Sequence, residues 1–169
     1  LDPRQRTYLE KINSSANVLL GIINDILDFS RIEAGGLELE KAAFRMESVL
    51  ETVASVNSLR AEEKGLELTF SVASDVPSAL FGDSLRLGQV LTNLVGNAIK
   101  FTTEGDVEVS IRRLESTPEI CKLEFSVRDT GIGLTEQQIS GLFRPFTQAN
   151  TDTARIYGGT GLGPAICRR

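Results

Sequence analysis

The sequence predicts an α+β protein: a two-layer α/β sandwich preceded by a long helix of a helical bundle. Three observations carry that expectation. Leu9, Ile12, Ala16, Leu19, Ile23 and Ile26 recur at spacings of 3, 4, 3, 4 and 3, a heptad seam. Leu66/Leu68/Phe70/Val72, Val107/Val109/Ile111 and Cys121/Leu123/Phe125/Val127 alternate with polar residues, as half-buried strands do. Helical segments lie between and after these runs, in the order α-β-α-β-β-α, which favours helices on one face of a mostly antiparallel sheet.

Along the chain, Leu1–Arg6 reads as a turn, with Asp2-Pro3 suited to a helix start. A helix is expected from Thr7 to Ala34, its seam widened by Leu20 and Leu27, with Gly35-Gly36 as its stop. Such a helix, about 40 Å long, either lies along its own domain or packs its seam in a bundle; the bundle is favoured because little else in the chain could cover it. Leu37–Phe44 reads as an extended linker. Met46–Lys64 is the second helix, with Val49, Leu50, Val53, Val56 and Leu59 inward and Gly65 closing it. Leu66–Ala73 is a strand, Val76-Pro77 a turn and Leu80–Asp83 a strand stub. Asp83 or Ser84 caps the helix that contains Gln89–Thr102. Thr103–Asp106 turns into the Val107 strand, Ser116–Glu119 is a hairpin loop, and the Cys121 strand ends on Asp129. Thr135–Leu142 is a short Thr-capped helix. Thr147–Tyr157 is polar and aperiodic, and reads as a mobile segment. Gly158–Gly163 is glycine-rich and leads into a helical start at Pro164.

Bulk properties narrow the function. The chain of 169 residues is 41% hydrophobic and 24% charged, an ordinary globular composition, and its formal net charge of -5 argues against nucleic acid as a partner. A single nucleotide remains open, because it needs only a local positive pocket. No apolar run approaches the roughly 20 residues of a membrane span and no secretory signal opens the chain, so a cytoplasmic location is expected. Cys121 and Cys167 lack metal spacing and read as reduced thiols. The absence of histidine excludes histidine-based triads and imidazole metal ligands.

Three polar clusters then require an explanation. In QVLTNLVGNAIKFT (Gln89–Thr102), Val90, Leu91, Leu94, Val95 and Ile99 form an apolar side. Asn93, Asn97 and Lys100 share another face at i, i+4 and i+7. Amides are costly to bury without partners. An amide oxygen suits Mg²⁺ without adding negative charge beside a polyphosphate, and the Lys100 ammonium suits a phosphate. The simpler reading is a polar stripe facing water. The second cluster, Asp129-Thr130-Gly131-Ile132-Gly133, places a carboxylate at a strand end before two glycines. That arrangement fits an acceptor for an exocyclic amine such as adenine's, with glycines allowing a flat base close to the backbone, or a plain turn. An aspartic-protease reading of Asp-Thr-Gly needs a second such carboxylate, which only a homodimer would supply. The third, Gly158-Gly159-Thr160-Gly161-Leu162-Gly163, precedes a helix start, where backbone N–H groups cradle phosphate. It lacks the Gly-Lys-Ser/Thr of a Walker loop and the preceding strand of a Rossmann motif, and by itself it also reads as a flexible turn. Together the three supply a metal ligand, a base reader and a phosphate cradle.

On these residues the chain resembles the sensor histidine kinases. QVLTNLVGNAIKFT is similar to their N box, DTGIG to the G1 box, LFRPFTQAN to the F box and GGTGLG to the G2 box. The helix ending in NDILDFSRIEAG resembles the second helix of their dimerisation and phosphoacceptor hairpin, in the hybrid-kinase style. The resemblance implies an ATP-binding domain of the type shared with gyrase, Hsp90 and MutL (the GHKL fold, helices on a mixed sheet). Residues 1–40 would be the hairpin helix and 41–169 the catalytic domain. Asn97 becomes the Mg²⁺ ligand with Asn93 lining the same site, Lys100 a phosphate contact and Phe101 a neighbour of the adenine. Asp129 reads the adenine amine beside Gly131 and Gly133. Thr147–Tyr157 becomes a lid over ATP, started by Phe143 and Phe146 and carrying Arg155 as a phosphate contact, and Gly159, Thr160, Gly161, Leu162 and Gly163 the phosphate loop. Expected partners are a second copy through the N-terminal helix and a response-regulator receiver domain, with membrane anchoring only through parts of the parent outside this chain.

The chain departs from the family pattern in four places. The phosphoacceptor histidine and the acidic residue after it are absent, and the end falls short of the family's last helix and strand pair. A fragment is therefore expected, one that binds ATP but does not phosphorylate itself. Pro164 replaces an aliphatic residue and removes an N–H, and Ile156 replaces a basic lid residue. These departures also motivate an alternative, a non-catalytic regulator that acts by dimerisation.

Overall fold

The computed structural model describes residues 2–33, 39–117 and 119–141. Its elements are α1 (Pro3–Glu33), β1 (Ala42–Arg45), α2 (Met46–Lys64), β2 (Glu67–Val72), β3 (Ala79–Gly82), α3 (Ser84–Phe101), β4 (Asp106–Ser116), β5 (Cys121–Asp129) and α4 (Glu136–Gly141). The chain divides into two compact units, one of them Leu39–Ile139 and the other comprising Leu1–Glu38 and Ser140–Arg169.

In the N-terminal segment, α1 begins at Pro3, which corrects the turn expected over Leu1–Arg6. Asp2 accepts the Arg4 N–H on its carboxylate at 3.2 Å and the Arg6 N–H on its carbonyl at 3.0 Å. Proline's fixed φ suits the first turn, so cap and proline start the helix together. Leu9, Ile12, Leu19, Ile23 and Ile26 of the seam, with Leu20 and Leu27, are exposed on the single chain. The expected Gly35-Gly36 stop lies outside the described residues.

The Leu39–Ile139 unit has helices on one face of a sheet. β2, β4 and β5 form a sheet in the order β2-β4-β5, with β2 parallel to β4 and β4 antiparallel to β5. The sheet is therefore mixed, where alternation alone favoured mostly antiparallel pairing. The long excursion through β3 and α3 between β2 and β4 is the kind of connection a parallel pair needs. Ala42–Arg45 was expected within and just after a linker; it instead pairs antiparallel with β3, from Ala42↔Gly82 to Arg45↔Ala79.

Val107, Val109 and Ile111 of β4 are buried beneath the helices, against Leu91, Val95, Ala98 and Ile99 of α3 and Met46, Val49, Leu50 and Val53 of α2. The opposite face is polar. There Glu108 stands across from Arg128 and Ser110 from Ser126. Arg112 grips the Glu124 carboxylate through two nitrogens and holds that carboxyl below its ordinary range, chiefly by the hydrogen bond. One apolar and one wet face is what a two-layer sandwich requires.

The expected span of α2 is observed, with Gly65 in the left-handed region at φ 67° as its cap. Its inward face differs from expectation. Val56 and Leu59 are exposed, while Asn57 and Ala61 are buried. Gly96 explains how an amide fits there: a Cβ at that position would stand 3.6 Å from Asn57 Oδ1, so the helices approach closely. Asn57 Nδ2 donates to its own helix at Val53 O, 2.8 Å, and among the described residues Oδ1 is a buried side-chain oxygen without a hydrogen-bond partner.

Two glycines give opposite expectations. Gly96→Ala meets only ordinary contacts and removes mid-helix backbone freedom, so the urea midpoint should rise by the equivalent of about 0.5–1 kcal/mol. Gly105 sits at φ +111°, and a Cβ there would lie 2.2 Å from Thr130 Oγ1. Gly105→Ala should lose roughly 1–3 kcal/mol. Matching midpoints for the two variants would contradict this packing.

Candidate functional site

The helix that carries the amides is fixed at both ends. At its start Asp83 Oδ1 accepts the Arg86 N–H at 2.9 Å, while Oδ2 accepts the Glu40 N–H at 3.1 Å. One carboxylate thus caps α3, as expected, and tethers the incoming chain. Leu91, Val95, Ala98 and Ile99 are buried and orient the rest. Asn93, Asn97 and Lys100 fall on a half-buried side. Asn97 Nδ2 donates to Asn93 Oδ1 at 3.3 Å, across one turn.

Lys100 extends from the last turn, its Nζ 5.0 Å from the Phe101 ring centroid. Burial lowers its pKa from the ordinary 10.5. Removing water from an ammonium favours the neutral form, and a nearby anion would reverse that effect.

The end of α3 is where the two clusters meet. A helix leaves its last carbonyls without helical partners, and here they are supplied from elsewhere. Ala98 O accepts from Thr102 N at 3.0 Å and Thr102 Oγ1 at 2.7 Å. Lys64 Nζ, from α2, donates to Ile99 O at 2.7 Å, Lys100 O at 2.9 Å and Thr102 O at 3.0 Å. Phe101 O accepts the Ile132 N–H at 3.4 Å, from the loop after β5.

That loop is the Asp129–Gly133 segment, and β5 delivers Asp129 to its start as expected. Asp129 Oδ1 accepts the Gly131 N–H at 2.9 Å, which uses one carboxylate oxygen to shape the turn. A Cβ on Gly131 would lie 2.6 Å from Phe101 O and 2.8 Å from Asp129 Oδ1. Glycine is required there by close approach, and at Gly133 by a φ of 65°. Thr130 fixes the loop to the start of β4: its Oγ1 accepts the Asp106 N–H at 3.0 Å, and its own N–H donates to Asp106 O at 3.3 Å. Exposed Ile132 follows at the rim.

The structure therefore brings the last turn of α3, with Lys100 and Phe101, into direct contact with the Asp129–Gly133 loop. Arg155, Gly159, Thr160, Gly161, Leu162 and Gly163 lie outside the described residues, as do Phe143, Phe146, Ile156 and Pro164. Thr135 caps α4, accepting the Gln138 N–H at 3.3 Å while its own N–H donates to Gln138 Oε1 at 2.8 Å. Cys121 is a half-buried free thiol. Sequence reasoning missed Thr130 and Lys64 as parts of this arrangement. Thr130 stands inside the Asp-Thr-Gly signal, whereas Lys64 is a basic residue in the last turn of its own helix, where such residues commonly complement the dipole.

Comparison with known proteins adds independent findings. Residues 82–169, more than half of the chain, match the model of the histidine kinase-, DNA gyrase B-, and HSP90-like ATPase family. Residues 1–35 match the His Kinase A (phospho-acceptor) domain. The chain is 47% identical over 169 residues to the signal transduction histidine-protein kinase BarA of Escherichia coli K12, covering 100% of this chain and 18% of BarA. It is 48% identical to the sensor protein GacS of Pseudomonas syringae, again over its whole length and 19% of that protein. It thus spans just under a fifth of the length of these two relatives. The crystal structure of full-length ShkA in complex with AMPPNP superposes with a TM-score of 0.78 at 37% identity, over 98% of this chain and 33% of that one. By its mixed α+β fold and by the match over its C-terminal half, the chain belongs to the histidine kinase-, DNA gyrase B-, and HSP90-like ATPases.

Proposed function

We propose that the chain is the ATP-binding catalytic part of a two-component sensor histidine kinase. Residues 1–40 would supply the second helix of the dimerisation and phosphotransfer hairpin, and residues 41–169 the catalytic domain. The observation that carries this reading is the seating of the Asp129–Gly133 loop on the last turn of α3, which joins an amide-and-ammonium face to a carboxylate-and-glycine turn. Such a pairing serves a ligand that is anionic at one end and a hydrogen-bonding base at the other.

The donor set fits Mg-ATP. With its amide nitrogen donating to Asn93, Asn97 would offer its oxygen to a cation. Among the described residues there is no cluster of three or more acidic or thiol side chains able to hold a metal. Mg²⁺ would therefore depend on the phosphates and water for its remaining positions, its usual habit at nucleotide sites. Lys100 would neutralise phosphate, and Phe101 would lie near the base. Asp129 has acceptor capacity beyond the oxygen used by Gly131, enough for an exocyclic amine. Arg155 in the lid and Gly159, Thr160, Gly161, Leu162 and Gly163 in the phosphate loop complete the proposed set.

When bound, ATP would supply a γ-phosphoryl group activated by Mg²⁺. The residues of this chain would hold it and exclude water, since phosphoryl transfer is mostly positioning and charge stabilisation. The acceptor histidine is not among these 169 residues. The exposed α1 seam would pair with a second copy, and a receiver domain would take the phosphoryl group from the histidine. Among the described residues no helix is long and apolar enough to cross a membrane. A cytoplasmic working position is part of the proposal.

Calorimetric titration with Mg-ATP tests the site. Asn97→Ala and Asp129→Asn should each weaken binding by roughly tenfold or more. Asparagine at 129 still offers an oxygen to the Gly131 N–H, so its stability in urea should stay within about 0.5 kcal/mol of the parent. Affinities equal to wild type in both variants would contradict the assignment. Lys100 adds a pH test. A phosphate favours its charged form, so wild-type affinity should fall as pH climbs above neutrality through the lowered Lys100 pKa toward 10.5. Lys100→Met should bind more weakly at neutral pH and lose that slope. A wild-type affinity level across this range would remove Lys100 from the phosphate.

A further inference from the structure

Lys64 lies on α2, apart from every segment assigned to the nucleotide. Its ammonium has three N–H donors, and each finds a carbonyl at the end of α3: Ile99 at 2.7 Å, Lys100 at 2.9 Å and Thr102 at 3.0 Å. The contact spans 35 to 38 residues of sequence, so it is a tertiary clamp and not a local cap. Positive charge at a helix C-terminus is favourable. Here the charge comes from a neighbouring helix.

The backbone behind the ammonium is itself held. Gly65 N–H and Leu66 N–H fold back on Glu62 O and Ala61 O, both at 2.9 Å, and Glu67 N–H donates to Gly105 O at 3.1 Å as β2 begins. Lys64 is thus anchored on one side to the sheet and on the other to the turn of α3 that bears Lys100 and Phe101. The Phe101 carbonyl of that turn receives the Asp129–Gly133 loop. Thr102, fully buried, is gripped from both ends: its hydroxyl by Ala98 and its carbonyl by Lys64.

We infer that Lys64 is a positioning residue for the nucleotide site: by fixing the last turn of α3 it sets Lys100 and the seat of the Asp129–Gly133 loop at once. The inference rests on the ATP-binding reading for its functional half and on the carbonyl clamp alone for its structural half.

The test uses the whole chain with Lys64→Met, which keeps most of the length and loses the donors, and Lys64→Arg, which keeps donors. Lys122→Met serves as a control, since among the described residues that surface lysine makes an exposed 3.7 Å pair with Glu115, away from the end of α3. Mg-AMPPNP affinity is measured where urea curves show each variant folded, and amide exchange is followed at Thr102, Ile132 and, as a core reference, Val109. Lys64→Met should bind about tenfold more weakly, a loss of about 1.4 kcal/mol. Its Thr102 and Ile132 amides should exchange faster while Val109 does not. Lys64→Arg should recover most of the affinity, and Lys122→Met should match wild type. Wild-type affinity in Lys64→Met, or faster exchange at all three amides together, would overturn the positioning role. If wild type itself failed to bind Mg-AMPPNP, the ATP reading would fall, and unchanged Thr102 and Ile132 exchange in Lys64→Met would separately overturn the clamp. Should Lys64→Met not fold, Lys64→Gln, with one amide in place of three donors, should give a partial affinity loss with faster Thr102 exchange. Either effect without the other would overturn the inference.

Discussion

The seating of peptide groups at the C-terminal end of α3 is the constraint on which the rest depends. A helix end exposes carbonyl oxygens that need donors, and in this chain the donors come from three places: the Thr102 cap, the Lys64 ammonium and the Ile132 amide. Satisfying those oxygens ties α2, α3 and the loop after β5 to one point. The hydrogen bond from the Ile132 N–H to the Phe101 carbonyl holds the loop against that end. Gly131 follows from the same constraint, because any side chain there would strike the Phe101 carbonyl. A glycine that invites an interpretation as a base-approach residue also has a plain packing reason.

Around that point the core supplies rigidity. Val107, Val109 and Ile111 present one face of β4 to both helices, and the other face carries paired charges in water. The close approach of α2 and α3 at Gly96 and Asn57 carries its own expense, a buried amide oxygen without a partner among the described residues. Close helix packing sets the depth at which the Asn93, Asn97 and Lys100 side sits, half-buried between core and solvent. Full burial would demand partners for two amides and an ammonium, whereas full exposure would leave Lys100 an ordinary surface lysine. The downward pull of burial on its pKa records that intermediate position.

Much of this was legible in the sequence, for identifiable reasons. The span of α2 follows from a periodic segment bounded by Gly65, and the cap of α3 from Asp83 ahead of an apolar face. Asp129 at the end of β5 follows from simple alternation. For the inward face of α2, apolarity favours Val56 and Leu59, whereas the neighbouring Gly96 makes room for Asn57. β1 has four residues and no alternation, so its pairing with β3 left no trace in pattern. The parallel pairing of β2 with β4 is a matter of tertiary connection. Asn93, Asn97, Lys100, Asp129 and the glycines were readable as chemical types at telling spacings. Lys64 was not, since its partners lie 35 residues or more away and are backbone oxygens that carry no sequence identity.

The most direct measurement is a nuclear magnetic resonance titration of the chain with Mg-AMPPNP, following the amides of Asn97, Lys100, Ile132 and Gly133 and the side-chain amide of Asn97. If the end of α3 joins both clusters into one site, all five signals shift along a single binding curve with one dissociation constant. Signals from α3 and from the Asp129–Gly133 loop that follow different curves, or a loop that stays still while α3 responds, would contradict the account.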